Sequence, residues 1–466
     1  MEENEELSFE EIESLVHRFE EALEDNHAPY FDVEEFEEII DYYDSAMNKP
    51  KLVIALRTAQ TIHPYHIQFK IHDAQLLIVN KRYGQALNLL NNLLEIEPEN
   101  TAILQNLAFV HSQMGKHTQA IDLHLKSIEK GIDPTEAYNL IAYEYQSVQQ
   151  YSKAIDYLKL SLEVSPEDEG SLYELLFCYE IDNRMEESLA FFTHFVDENP
   201  YSFVAWFNLG ITYSNLGLYE KAIEAYDYVL AIDDSYSSAY FNKANALIFL
   251  NKFEEAIQNF EETLVYESPD SYTYLYIGQC YESLNDNESA LENYKQALQI
   301  NEKFTEALVN IALVYFNLES YNLALTYIDQ ALLVEPKNLE NLYIKGDILT
   351  EMDAYDDATK IYLEILIQEP ENTEIYFDLA GLYWNQEMRT EAYAILDQGI
   401  GYSKNNYKNY LRYAEFEYEM GNISLCINYL SLAINLNKEE SLLMILTLTQ
   451  LNLHPEIAEF LSEFKS

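Results

Sequence analysis

The sequence predicts an all-α solenoid of about twelve helix-turn-helix repeats with helical caps, and three observations lead there. Small residues recur at a fixed step of 34 residues, and a second, mostly small series precedes them by twelve. Only 12 Gly and 11 Pro punctuate 466 residues, while Leu, Ala, Glu, Ile and Asn fill the helical windows between them. A chain of this length ordinarily divides into separate cores, a limit that a repeat array escapes because each repeat packs only on its neighbours.

The first series runs Ala86, Ala120, Ala154, Ser188, Ala222, Ala256, Ala290, Ala324, Ala358, Ala392 and Cys426. The second runs Ala74, Ala108, Ala142, Leu176, Gly210, Ala244, Gly278, Ala312, Gly346, Ala380 and Ala414. Together they define two helices per repeat, A and B, that cross where both side chains lack bulk, because helix axes approach to the short end of the ~8–10 Å range only there. Larger side chains seal the flanks; around Gly210 and Ala222 these are Trp206, Leu209, Tyr213, Tyr219 and Tyr226. Twelve residues after the helix B alanine comes a helix stop, which is Pro98, Pro166, Pro200, Pro336 or Pro370 in five repeats. Proline cannot continue a helix and pushes the preceding residue out of α geometry.

From Trp206 to Tyr226 the residues follow W-x2-L-G-x2-Y and then A-x3-F with tyrosine in the last place, and here the sequence resembles the tetratricopeptide repeat family. That resemblance implies a right-handed superhelix. It spans residues 33–440 as twelve tandem repeats, the first degenerate: Phe36, Ile39, Ile40, Tyr43, Leu56, Ala59 and Pro64 keep the register, but Leu52 stands where a small residue is expected. The unbroken step leaves no room for an inserted catalytic domain, so one continuous superhelix is expected.

Residues 1–32 are expected to form an N-terminal cap, with a helix from about Phe9 to Glu24 and a stop at Ala28-Pro29. Residues 441–466 carry two apolar segments, Leu442 to Leu453 and Ile457 to Phe464, expected to cap the other end.

With the Ala222-type residue as position 20, helix A buries positions 4, 7, 8 and 11, while positions 2, 5, 9 and 12 fall on a stripe turned roughly 120° away. The family resemblance makes this stripe the lining of a concave groove that receives peptide segments. Here it holds Phe109, Tyr143, Tyr173, Phe177, Phe207, Ile211 and Phe241, with Asn106, Asn208, Asn242 and Asn310 beside them at position 6. Apolar bulk facing solvent implies a ligand. The competing expectation is that successive repeats rotate enough for these aromatics to pack on neighbouring helices. Carboxylates gather at both ends of the groove, Glu34, Glu37, Asp41 and Asp44 at the start and Glu340, Asp347, Glu351, Glu374 and Asp378 later. The expected partner is an extended or helical protein segment with apolar anchors and basic flanks. Relatives that clamp a carboxylate tail use Lys or Arg with Asn at groove positions; here Lys408 and Arg412 are the comparable pair, followed by Glu415 where Asn would stand.

With 81 acidic against 27 basic side chains, the formal charge is −54, which repels nucleic acid and anionic membrane alike. No charged n-region precedes an apolar h-region, and no apolar run approaches the ~20 residues of a spanning helix. A cytoplasmic address is expected, in a bacterium by the Asn, Ile and Tyr richness. Cys178, Cys280 and Cys426 are odd in number and widely spaced, as reduced packing thiols would be.

The chemistry-bearing candidates are few. His111, His117 and His124 share one repeat, and His111 and His124 take slots that hold Tyr213 and Tyr226 elsewhere. They are expected as core histidines, since a two-histidine metal site lacks an evident third ligand. His63 and His66 in HPYH match no metal spacing. No HExxH, phosphate loop or nucleophile elbow occurs. The expectation is no enzyme, no cofactor and no metal: a protein-binding scaffold, or alternatively a self-associating structural component whose groove holds its own termini.

Overall fold

The computed structural model describes residues 9–24, 30–447, 454–462 and 464; the expected stop at Ala28-Pro29 and the end of the 442–453 segment lie outside them. Twenty-seven helices and no strand are found among the described residues. The chain divides into two units, Met1–Asp234 and Ser235–Ser466.

In the first unit α1 (Phe9–Glu24) is followed by six pairs: α2 (Val33–Ser45) with α3 (Lys49–Ile62), α4 (Ile67–Val79) with α5 (Tyr83–Ile96), α6 (Thr101–Gln113) with α7 (His117–Glu129), α8 (Pro134–Ser147) with α9 (Tyr151–Val164), α10 (Glu169–Ile181) with α11 (Met185–Glu198), and α12 (Phe203–Asn215) with α13 (Tyr219–Ile232). The second unit continues with α14 (Ser237–Phe249) and α15 (Phe253–Tyr266), α16 (Ser271–Ser283) and α17 (Asn287–Ile300), α18 (Thr305–Asn317) and α19 (Tyr321–Val334), α20 (Leu339–Glu351) and α21 (Tyr355–Gln368), α22 (Thr373–Asn385) and α23 (Arg389–Tyr402), and α24 (Tyr407–Glu419) and α25 (Ile423–Leu436). It closes with α26 (Lys438–Thr447) and α27 (Pro455–Ser462). Repeat n therefore consists of α2n as helix A and α2n+1 as helix B.

Every A helix ends the same way. Position 15 adopts positive φ in all twelve repeats, from Met47 and Lys81 through Gly115 and Gly217 to Gly421. The next backbone N–H then donates to the carbonyl at position 11, as from Lys116 to His111 (2.9 Å) and Leu218 to Tyr213 (2.8 Å). This is the left-handed stop that satisfies the last carbonyls of a helix. The degenerate first repeat makes it too, Asn48 N–H donating to the Tyr43 carbonyl at 2.9 Å. Only three of these positions are glycine, so the geometry is set by the repeat rather than by residue type. Many A helices begin on a side-chain cap, such as Asn100 accepting from Ile103 N–H and Ser202 from Ala205 N–H.

At the crossings, glycine at position 8 coincides with tyrosine at position 24: Gly210 with Tyr226, Gly278 with Tyr294, and Gly346 with Tyr362. A Cβ on these glycines would stand 2.4 to 2.5 Å from a tyrosine ring carbon, well inside van der Waals contact. The tyrosine ring thus lies against the helix A backbone, and its hydroxyl reaches a residue four or one positions beyond the glycine. There it meets Ser214 (3.4 Å), Glu282 (2.8 Å) and Asp347 (2.6 Å) respectively. Where position 8 is alanine, as at Ala142 and Ala380, position 24 is a residue such as Leu158 or Leu396.

Both described ends are covered. Leu15, Val16 and Phe19 of α1 are buried with Phe31, Phe36 and Ile39 of the first repeat, and the Arg18 guanidinium lies 4.5 Å from the Phe31 ring centre while pairing with Glu35. In the second unit Ile445 of α26 and Ile457 and Leu461 of α27 pack with Leu430 and Ala433 of α25.

Candidate functional site

In the first unit the stripe at positions 5 and 9 is an exposed aromatic strip on α6, α8 and α10. Phe109, Tyr143, Tyr173 and Phe177 stay 38% to 56% exposed, whereas positions 7 and 8 beside them, such as Leu107 and Ala108, are buried. Polar neighbours brace the strip across repeat boundaries: Gln146 Nε2 donates to Glu174 Oε2 at 2.8 Å, and Asn215 Nδ2 to Glu180 Oε1 at 2.7 Å. These bonds fix two carboxylates of α10, the helix that carries Tyr173 and Phe177.

The strip turns inward at α12. Phe207 is only 7% exposed, its ring 5.9 Å from that of Tyr226. Asn208 is fully buried and donates from Nδ2 to the Leu172 carbonyl at 2.8 Å. Both are therefore packing residues here, because the Gly210 crossing brings the Tyr226 ring beneath Phe207. Ile211 is half-buried. Asn106 and, in the second unit, Asn242 are half-buried and turn their Nδ2 groups back on their own helices, to the Ala102 and Ser238 carbonyls (both 2.8 Å). Phe241 is half-buried between the rings of Phe260 (5.4 Å) and Tyr276 (5.7 Å), the rotation-and-packing alternative realised at that position.

In α20, α22 and α24 hydrogen-bonded carboxylates stand at or beside these positions, Asp347 and Glu415 at position 9 and Asp378 at position 6. Tyr343 donates to Asp378 Oδ2 at 2.8 Å and Tyr362 to Asp347 Oδ1 at 2.6 Å. Burial pushes the Asp347 carboxyl up to about 6; the Tyr362 bond opposes this and the charges of Asp378 and Glu351 add to it. Asp378 is likewise raised, first by burial, against the bond from Tyr343 and the positive charges of Arg412 and Lys408. Those two cations are neutralised within the protein: Lys408 pairs with Glu374, and Arg412 bonds Glu415 at 2.7 Å while its guanidinium lies 3.7 Å over the Phe377 ring.

The histidines have a partner the sequence reading overlooked. His117 Nδ1 lies 2.7 Å from Glu144 Oε2, and Glu144 is only 3% exposed. The available signal was Glu144 itself, a charged residue at position 10, which in other repeats is Val110, Cys178, Thr212 or Ala246. No group of three His, Cys, Asp or Glu side chains able to hold a metal occurs among the described residues. His63 Nε2 instead sits 2.8 Å from the Phe31 carbonyl, and the His66 ring lies 4.8 Å from that of Phe69. All three cysteines are free and buried, and burial pushes the thiols up, to about 12 for Cys280 and Cys426. No described helix is long and apolar enough to cross a membrane.

Helix pairs of this length, closed by one recurrent turn, define a class of α-helical repeat proteins. The chain belongs to the tetratricopeptide repeat family: models described as tetratricopeptide repeat match residues 77–142, 135–168, 203–236, 237–264 and 305–338, and one described as TPR repeat matches 278–319. It is 26% identical over 157 residues to human protein O-mannosyl-transferase TMTC1, covering 32% of this chain and 18% of that protein. Among solved structures, the C-terminal part of a TPR repeat-containing protein from Cytophaga hutchinsonii is similar at 15% identity over 51% of this chain and 98% of the other, with a TM-score of 0.44. Yeast Tom70 is similar at 15% identity over 84% of this chain and 98% of the other, TM-score 0.39, and the Cut9–Hcn1 complex at 13% over 86% and 95%, TM-score 0.38.

Proposed function

We propose that this protein is an interaction scaffold that takes extended or helical segments of partner proteins along the helix A strip of its first unit. The observation that carries the reading is the run of Phe109, Tyr143, Tyr173 and Phe177, four large rings left substantially exposed on three successive repeats. Isolated exposed apolar residues are ordinary, but a contiguous set marks an interaction surface. Glu174 and Glu180 on the same helix as Tyr173 and Phe177, and the net charge of −54, favour segments that place Lys or Arg next to apolar anchors. A nucleic acid or anionic membrane is a poor match to that charge. The reading is one of binding rather than catalysis, and the transferase activity in the name of the human relative, of which this chain spans 18%, is not part of it.

Selection from a random peptide display library on the immobilised full chain, followed by calorimetric titration of the winners, tests this. Enriched sequences should alternate apolar and basic residues, bind more weakly at high salt, and lose roughly tenfold or more in affinity to a Phe109→Ala, Tyr143→Ala, Phe177→Ala variant, at more than 1 kcal/mol for a central aromatic anchor. Equal affinity for a folded triple variant would remove the proposal. Concentration-dependent assembly by light scattering, abolished by the same variant, would instead favour a self-associating component.

A further inference from the structure

The third repeat differs from its neighbours in a coordinated way. His111, His117 and His124 occupy positions 11, 17 and 24, which in the sixth repeat are Tyr213, Tyr219 and Tyr226. Directly across the repeat boundary, α8 supplies Glu144 at a position that is otherwise uncharged. The two departures meet: the buried Glu144 carboxylate bonds His117 Nδ1 at 2.7 Å, and its charge also acts on the buried His124 of the same helix α7. One buried carboxylate thus faces two imidazoles of α7, while the third, His111, lies on α6 of the same repeat.

The surroundings offer little further compensation. His111 is the sole ionisable side chain of α6, its Nδ1 is buried without a hydrogen-bond partner, and Lys116 next to it adds like charge. On α7 itself Asp122, Lys126 and Glu129 are exposed on the outer face, and Lys130 beyond its end pairs with Glu99. On α8, Glu136 is exposed. From α9, Lys153 lies over the Tyr145 ring; of the helices packed on α6, α5 brings Glu95, which is exposed, and α4 brings half-buried Lys70, His72 and Asp73, the last accepting from Gln60. Burial holds His111 and His124 below the ordinary imidazole range, only His124 receiving an opposing push from Glu144. A group whose folded value is depressed favours the folded state above its unfolded value and loses that contribution as the pH falls.

We infer that the α6–α7 repeat and its boundary with α8 form a proton-operated weak point, held by the His117–Glu144 hydrogen bond and loosened when His111 and His124 take up protons. Unpaired positive charge in a packed layer has no solvent to relax into, so the helices separate rather than absorb it. This device goes beyond the groove reading and stands whether or not the strip binds a ligand. Because α6 and α8 carry Phe109 and Tyr143, opening would also disturb half of the exposed strip.

Hydrogen exchange read by mass spectrometry on the full chain, at pH 7.5 and 5.5 with intrinsic rates corrected, tests it. Peptides from α6, α7 and the start of α8 should exchange on the order of tenfold faster at the lower pH, while those from α10 to α13 stay within about twofold. His111→Tyr with His124→Phe, which gives Ala108 the kind of partner that Ala244 has in Phe260, should abolish the acceleration. Should that double variant misfold by circular dichroism, His124→Phe alone should at least halve the effect. Uniform acceleration throughout the first unit, or undiminished acceleration in the folded variants, would overturn the inference.

Discussion

Repeats three to five and repeats ten to eleven use one backbone frame to opposite ends. On α6, α8 and α10 the stripe presents Phe109, Tyr143, Tyr173 and Phe177 to solvent. On α20 it presents Tyr343 and Asp347, already tied into hydrogen bonds with Asp378 of α22 and with Tyr362. The frame fixes positions 8, 15, 20 and 24 through crossing and turn geometry and leaves positions 5, 6 and 9 to vary. Function in such a chain is therefore written where packing does not dictate the residue. The aromatic strip has unused contact area, whereas the acidic stretch has satisfied much of its own polarity and neutralised Lys408 and Arg412 internally.

The comparison breaks most forcefully at the glycine crossing of the tenth repeat, which has no counterpart in the third to fifth. Gly346→Ala places a Cβ 2.5 Å from Tyr362 Cε1 and forces the ring out of its seat. A loss of roughly 1–3 kcal/mol is expected from overpacking, seen as a lower urea midpoint. Adding Tyr362→Leu recreates the Ala142 with Leu158 pairing of the fourth repeat and should recover much of that loss, although Asp347 then lacks its phenol donor. If Gly346→Ala unfolds at the wild-type midpoint, the glycine and tyrosine are not a steric pair.

Acid should separate the two regions by sign. The Asp347 value of about 6 lies above that of a carboxyl in the unfolded chain, so the folded state binds this proton more tightly. Its contribution is unfavourable at neutral pH and is relieved as pH falls through about 6. Local opening of α20 to α22, measured by hydrogen exchange, should therefore become rarer by about fourfold between pH 7.5 and 5.5. Asp347→Asn should flatten that response. The third repeat, with His111 and His124 depressed, should respond in the opposite direction, and a common sign in both places would contradict the assignment of buried charges.

Much of the frame was legible in the sequence because steric exclusion leaves a periodic mark: the small residues at positions 8 and 20 could be found by spacing alone. The turn at position 15 was not, since Met47, Gln149 and Glu387 share a left-handed backbone with no common side chain. The stripe was legible as a set of aromatics but not in its exposure. Phe177 and Phe207 both fall on the stripe in sequence, yet Phe207 packs against the Tyr226 ring and is buried while Phe177 is not. Glu144 was missed because its partner lies 27 residues earlier, on the preceding repeat.

The smallest expected effect sharpens the comparison furthest. Phe177 is 46% exposed and touches the Tyr151 ring edge-on at 6.4 Å, so Phe177→Ala gives up only a half-solvated contact and should shift stability by about 1 kcal/mol or less. A residue that large, kept in water at so little structural benefit, has its use elsewhere, and the same variant should weaken a selected peptide. A urea midpoint lowered as far as that of Gly346→Ala would instead show the ring acting as core. The exposed strip would then be a packing surface like Phe207, and the distinction between the two regions would reduce to charge.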